Sequence, residues 1–71
     1  MKIEFDREAD ALYIQFQSGK SKKSIKVHEG IVVDIAKDGR IFGIEILEAS
    51  QRIAMSQIAH VNVNFPIAKT S

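Results

Sequence analysis

The chain has 71 residues, 45% hydrophobic and 27% charged, and 10 basic against 9 acidic residues leave a formal net charge of +1. That composition fits one folded domain. It excludes a disordered tail and, with no Cys, a disulfide-stapled miniprotein or a cysteine-ligated zinc module. The near-neutral charge weighs against nucleic-acid binding, which draws on a basic excess.

The opening residues Met1-Lys2-Ile3-Glu4-Phe5-Asp6 carry acids where a signal peptide is apolar. The longest apolar runs, such as 31–33, fall far short of a membrane-spanning helix. A cytoplasmic protein off the membrane is the expectation. A chain of this length buries only about 60% of its unfolded surface. Without disulfides, self-association is the expected source of further burial.

Period-two alternation runs through the first two thirds of the chain. Ile3 and Phe5 alternate with Lys2, Glu4 and Asp6, and Leu12, Ile14 and Phe16 alternate with Ala11, Tyr13 and Gln15. Ile25 and Val27 follow, then Ile31, Val33 and Ile35, then Phe42, Ile44 and Ile46. Five half-buried strands is the direct reading. Residues opposite each other in an antiparallel pair share a face, so each turn is tested by the pairs it sets. A four-residue loop at 7–10 pairs Phe5 with Leu12 and Ile3 with Ile14. The stretch 17–24, with Gly19 and its lysines, reads as a solvated connection. A three-residue loop at His28-Glu29-Gly30 pairs Val27 with Ile31 and Ile25 with Val33. Asp38-Gly39 is the strongest hairpin signal, read as a two-residue type I′ loop. It pairs Ile35 with Phe42, Val33 with Ile44 and Ile31 with Ile46.

After Leu47 the residues are helix formers, and 48–60 is predicted as one short helix with Ser50 or Ser56 as N-cap. The alternation Val61-Asn62-Val63-Asn64-Phe65-Pro66-Ile67 predicts a final extended segment over 61–67, confined by Pro66 to an edge or a strand end. The expected fold class is α+β in a single domain. It consists of an antiparallel β-meander of about five strands over 1–47, one short C-terminal helix and the extended tail.

Two stretches carry a resemblance. The first is Phe5-Asp6-Arg7-Glu8-Ala9-Asp10-Ala11-Leu12-Tyr13-Ile14. The second runs from Gly30-Ile31-Val32-Val33-Asp34-Ile35 through Asp38-Gly39-Arg40 to Gly43-Ile44-Glu45-Ile46-Leu47-Glu48-Ala49-Ser50. Together they resemble a large group of small bacterial proteins classed as a domain of unknown function. Phe5 stands where that group has Tyr, and residues after Arg52 match nothing in its pattern. The resemblance implies a small, β-rich, cytoplasmic bacterial protein and brings no catalytic residues. Some members resemble partners of small toxins, which gives an antitoxin-like role as one lead.

Asp6, Glu8 and Asp10 are the candidate metal ligands, since hard cations take carboxylate oxygens that a loop brings together. Counted from Asp6, an EF-hand would place Gly at position 11 and Glu at 17; the chain has Ala11 and Gln17. Turn chemistry is the favoured reading, with Asp6 accepting backbone N–H groups. Asp34 and Glu45 share the outer face at diagonal positions, a weak carboxylate pair for acid–base chemistry. His28 and His60 are far apart, with no third ligand. Lys20, Lys22, Lys23 and Lys26 cluster without aromatic residues to stack bases, so a solvated loop is favoured over a nucleic-acid site.

The outer face mixes Ala11, Tyr13, Val32, Ala36 and Ile41 with the two acids, too apolar for a wet face. Tyr13, Val32, Ile41, Val61, Val63 and Phe65 are the interface candidates. The expected function is a non-enzymatic, self-associating protein-interaction module without cofactors, a homo-oligomer open to a protein partner. The alternatives are a divalent-metal-binding or small hydrolytic protein using the Asp6/Glu8/Asp10 loop, and an antitoxin-like partner of a small toxin.

Overall fold

The computed structural model describes residues 1–66. The alternating segments become β1 (Lys2–Asp6), β2 (Ala11–Gln15), β3 (Ser21–His28), β4 (Ile31–Ala36) and β5 (Ile41–Leu47). All pair antiparallel in one sheet of order β1-β2-β5-β4-β3. The expected strand pairs form within hairpins, but a simple meander would set β2 beside β3. Instead β5 lies between β2 and β4, so the β1–β2 hairpin is added to the β5 side of a β3–β4–β5 meander. The pairs Leu12↔Ile46 and Ile14↔Ile44 explain the placement, because they join apolar residues on the same face.

The β1–β2 register is as expected, with Ile3↔Ile14 and Phe5↔Leu12. The β4–β5 turn differs. Gly39 takes φ +90° while Asp38 stays outside the left-handed region, so the type I′ condition fails. Gly39 N–H donates to the Ala36 carbonyl at 2.9 Å, and Ala36 N–H donates to the Arg40 carbonyl at 2.8 Å. The loop is therefore three residues long, with Gly39 at its left-handed position. Ile35 now faces Ile41, and Phe42 becomes an extra residue, a bulge before Asp34↔Gly43 restores the expected register. Ile31↔Ile46 and Val33↔Ile44 are as predicted.

The β3–β4 turn also differs. His28 pairs with Ile31 across Glu29-Gly30, Gly30 takes φ +79°, and Val27 is the bulged residue. Ile25↔Val33 stands as expected, and β3 starts at Ser21 rather than after Ser24. The solvated connection is thereby shortened, because backbone pairing with β4 outweighs the polarity of Ser21 to Ser24.

The single predicted helix is two short ones, α1 (Ala49–Arg52) and α2 (Met55–Ile58). Ile53 and Ala54 between them are extended. Neither Ser50 nor Ser56 is the N-cap. Those positions fall to Glu48, at φ 52°, and Ala54. Four-residue helices lack the length to hold themselves, and α1 is tied to the β1–β2 loop at Asp10. Residues 61–66 form no strand, and Ile67 lies outside the described residues.

The antiparallel order puts the β1–β2 loop, the β3–β4 loop and the end of β5 at one end of the sheet, where α1 sits. Only Leu12, Phe42 and Ala49 are buried apolar side chains among the described residues. Neither helix packs broadly against a strand, which leaves the sheet's apolar face largely uncovered.

Candidate functional site

The register sorts the side chains onto two faces of different chemistry. On one, Ile3, Ile14, Ile44, Val33 and Ile25 line up across all five strands. Beside them Phe5, Leu12, Ile46 and Ile31 form a second row. Of these nine only Leu12 is buried; Ile3 and Ile25 are exposed and the rest are half-buried. No charged residue interrupts either row.

The opposite face carries a polar clasp. The Tyr13 side chain on β2 lies over Gly43 of β5, and its hydroxyl donates to Asp34 Oδ2 on β4 at 2.7 Å. Gly43 is what permits the crossing, since a Cβ there would fall 2.6 Å from Tyr13 Cζ and 2.9 Å from the Ile14 carbonyl oxygen. Ser24 Oγ on β3 donates to Asp34 Oδ1 at 2.6 Å. Asp34 thus gathers hydroxyls from β2 and β3. Partial burial, then the hydrogen bond to Asp34, then the charges of Asp34 and Glu45 push the Tyr13 phenol up to about 12.

The predicted acid pair is therefore not a bare pair. Tyr13 and Ser24 occupy both Asp34 oxygens, and Glu45 faces Tyr13 and Val32 across the ladder. The arrangement ties strands together and keeps the phenol protonated. Sequence reasoning missed Ser24 because it lay in the presumed connection. Extending the Ile25 alternation back by one residue would have placed it opposite Asp34.

The acidic loop is also built into the scaffold. Asp6 Oδ1 accepts the N–H groups of Glu8 at 3.0 Å and Ala9 at 3.2 Å, the turn chemistry expected of it. Asp10, at φ 53°, receives α1. Its carbonyl accepts Ala49 N–H at 2.9 Å, Oδ1 accepts Ser50 N–H at 3.0 Å and Oδ2 accepts Ser50 Oγ–H at 2.7 Å. Asp10 does for α1 what an N-cap does from within a helix. Among the described residues, no three His, Asp or Glu side chains come together as a metal set.

Arg52 ties the other side of that end. Its Nε donates to the Leu47 carbonyl at 2.9 Å, and its Nη2 lies 3.7 Å from Glu48 Oε1. The guanidinium covers Gly30, where a Cβ would meet Cζ at 3.1 Å. His28 ends β3, and His60 lies two residues beyond α2. Lys22, Lys23 and Lys37 border a 420 Å³ cleft that includes Ile25 and Ile35, while Lys26 pairs with Glu29 at 3.1 Å. Of the interface candidates, Tyr13 and Val32 are half-buried on the polar face, and Ile41, Val61, Val63 and Phe65 are exposed.

Among known proteins, a putative hypoxanthine phosphoribosyltransferase of Methanosarcina mazei is 33% identical over 64 residues, covering 90% of this chain and 51% of the relative. An uncharacterised protein of Methanocaldococcus jannaschii is 39% identical over 51 residues, covering 72% of this chain and 43% of the relative. The chain thus spans about half the length of the curated relatives it matches. No solved structure matches it. No helix among the described residues is long and apolar enough to cross a membrane. The family model described as "Protein of unknown function (DUF2283)" matches residues 2–50, the stretch that holds the whole sheet and the three Asp10 contacts to α1, and the chain belongs to that family.

Proposed function

We propose that this is a non-enzymatic interaction module that self-associates, a second copy closing its apolar sheet face. The observation that carries the reading is the pair of uninterrupted apolar rows left uncovered on the sheet. Monomeric proteins rarely expose apolar patches beyond a few hundred Å². Five strands at about 4.8 Å spacing give a face roughly 24 Å wide. Over five-residue strands rising about 3.4 Å per residue, that is roughly 400 Å² in projection, about half the ~800 Å² per partner of a standard interface. A second copy suits it because two identically twisted sheets stack at about 30°. The charge of +1 offers little repulsion between copies. The polar groups that meet on the other face hold strands together, which supports a binding role over a chemical one.

Sedimentation or light scattering across concentration tests the proposal. The full chain is expected at twice 7.9 kDa. Ile44→Asp and, at the edge, Ile25→Asp each return the monomer with the strand circular-dichroism signal intact, whereas Val32→Asp on the opposite face does not. A strict monomer at high micromolar concentration refutes the proposal.

A further inference from the structure

We infer that Val61–Phe65 of one copy adds as a sixth strand along the outer edge of β1 in a second copy. The inference rests on the self-association proposed above and names how the copies are joined. Val61, Val63 and Phe65 are 61%, 67% and 84% exposed, an alternating apolar series that its own chain leaves mostly uncovered. Asn62 and Asn64 separate them, and Pro66, unable to donate to a ladder, ends the run.

Among the described residues the sheet has two outer edges, and they differ. β3 carries Lys22, Lys23 and Lys26 and bulges at Lys22 and Val27, the devices by which edges resist pairing. β1 runs through five pairs with β2 in unbroken register, and its one lysine lies 3.5 Å from Glu4. Antiparallel addition sets Phe65 by Met1, Asn64 by Lys2, Val63 by Ile3, Asn62 by Glu4 and Val61 by Phe5. Every apolar residue meets an apolar one and every polar residue a polar one. The added strand widens the apolar face, where Ile3 is exposed, and supplies backbone partners to the free edge, a known mode of recognition.

The partner is a second copy rather than the same chain because, among the described residues, Val61–Phe65 makes no hydrogen bond to its own sheet and leaves its apolar side chains mostly exposed. The radius of gyration is 14.0 Å, with a longest extent of 43 Å. A compact chain of this length has about 11 Å.

The lack of native Cys makes the test direct. Protein carrying Ile3→Cys is mixed with protein carrying Val63→Cys under mild oxidation, and mass spectrometry identifies the linked species. Facing residues in neighbouring strands are close enough for a disulfide after small adjustment. The mixed disulfide is expected, and Glu4→Cys with Val63→Cys is expected to link at least tenfold less. Separately, Val63→Asp in the full chain raises the concentration at half-association at least tenfold. A dimer that gives no mixed link, or that Val63→Asp leaves unchanged, overturns the strand addition while self-association stands. In a chain carrying both Ile3→Cys and Val63→Cys, a link formed only within single chains also overturns it. A monomeric full chain overturns both.

Discussion

Gly43→Ala is the sharpest perturbation the fold offers. The new methyl would fall 2.6 Å from Tyr13 Cζ and 2.9 Å from the Ile14 carbonyl oxygen. The phenol can swing away, but the carbonyl belongs to β2 and moves only with the strand. Expelling Tyr13 breaks its 2.7 Å bond to Asp34. A hydrogen bond to a charged group contributes about 1.5–3 kcal/mol, part of it recovered as water replaces the phenol. Parting β2 from β5 adds about 1 kcal/mol or more, in the range of overpacking. Lower entropy of the unfolded chain offsets about 0.5–1 kcal/mol. The net loss is about 2–3 kcal/mol, or roughly 10–20 °C in Tm for a domain this small. Thermal and urea denaturation at one fixed protein concentration measure it. In a Tyr13→Ala background the same substitution meets only the Ile14 carbonyl, so after the same entropy offset its effect falls to about 0.5 kcal/mol. A Gly43→Ala protein melting within a few degrees of the parent, or an equal effect in both backgrounds, would refute the clasp.

Tyr13 is the one tyrosine and there is no Trp, so tyrosinate absorbance reports it alone. It should ionise near pH 12 rather than 10, and Asp34→Asn should bring the midpoint back toward 10. The folded value lies above the unfolded one, so its contribution to stability is whole below pH 10 and is lost as pH rises through 12. A parent midpoint near 10 in the folded protein would contradict the burial and bonding assigned to the phenol. Asp10→Ala should lose about 2–4 kcal/mol in urea denaturation, combining about 1–2 from the lost α1 bonds and about 1–2 from forcing Ala into a left-handed conformation. Asp10→Gly should recover the conformational part, and equal stability of the two variants would show that the φ of 53° carries no strain.

The sheet was legible because alternation and turn length constrain each other. The hairpin pairs Ile3↔Ile14, Ile25↔Val33 and Ile31↔Ile46 all follow from that agreement. The turns were less legible. Asp-Gly fits both a type I′ loop and a type I turn closed by a left-handed Gly, and residue types alone do not choose between them. Here the bulge at Phe42 goes with the second, setting two β5 residues against one on β4. The strand order was hidden because a period-two pattern names a strand's face but not its neighbour. The helix failed for a further reason: α1 is capped from outside by Asp10, 40 residues away, a contact no local pattern contains. The clasp was half visible, since Asp34 and Tyr13 were noticed singly but were joined only once β5 lay between β2 and β4.

These contacts alter what the family pattern means. The polar, aromatic and glycine residues of the matched stretch include Asp6, Asp10, Tyr13, Gly30, Asp34, Gly43 and Ser50. In turn, they close a loop, receive a helix, cross a strand, admit Arg52, gather two hydroxyls, leave room for a ring and bond back to Asp10. Each of these tasks is internal to the sheet and its end. A pattern of this kind identifies a scaffold, and mutating it should report on stability before it reports on any activity. What the scaffold leaves open is the opposite face, where aliphatic residues such as Ile14, Ile44 and Ile46 tolerate exchange for other apolar side chains of similar size. Function in this chain is therefore expected to follow substitutions that change polarity in the apolar rows or in Val61–Phe65, and to be insensitive to swaps such as Ile44→Val that keep the face apolar.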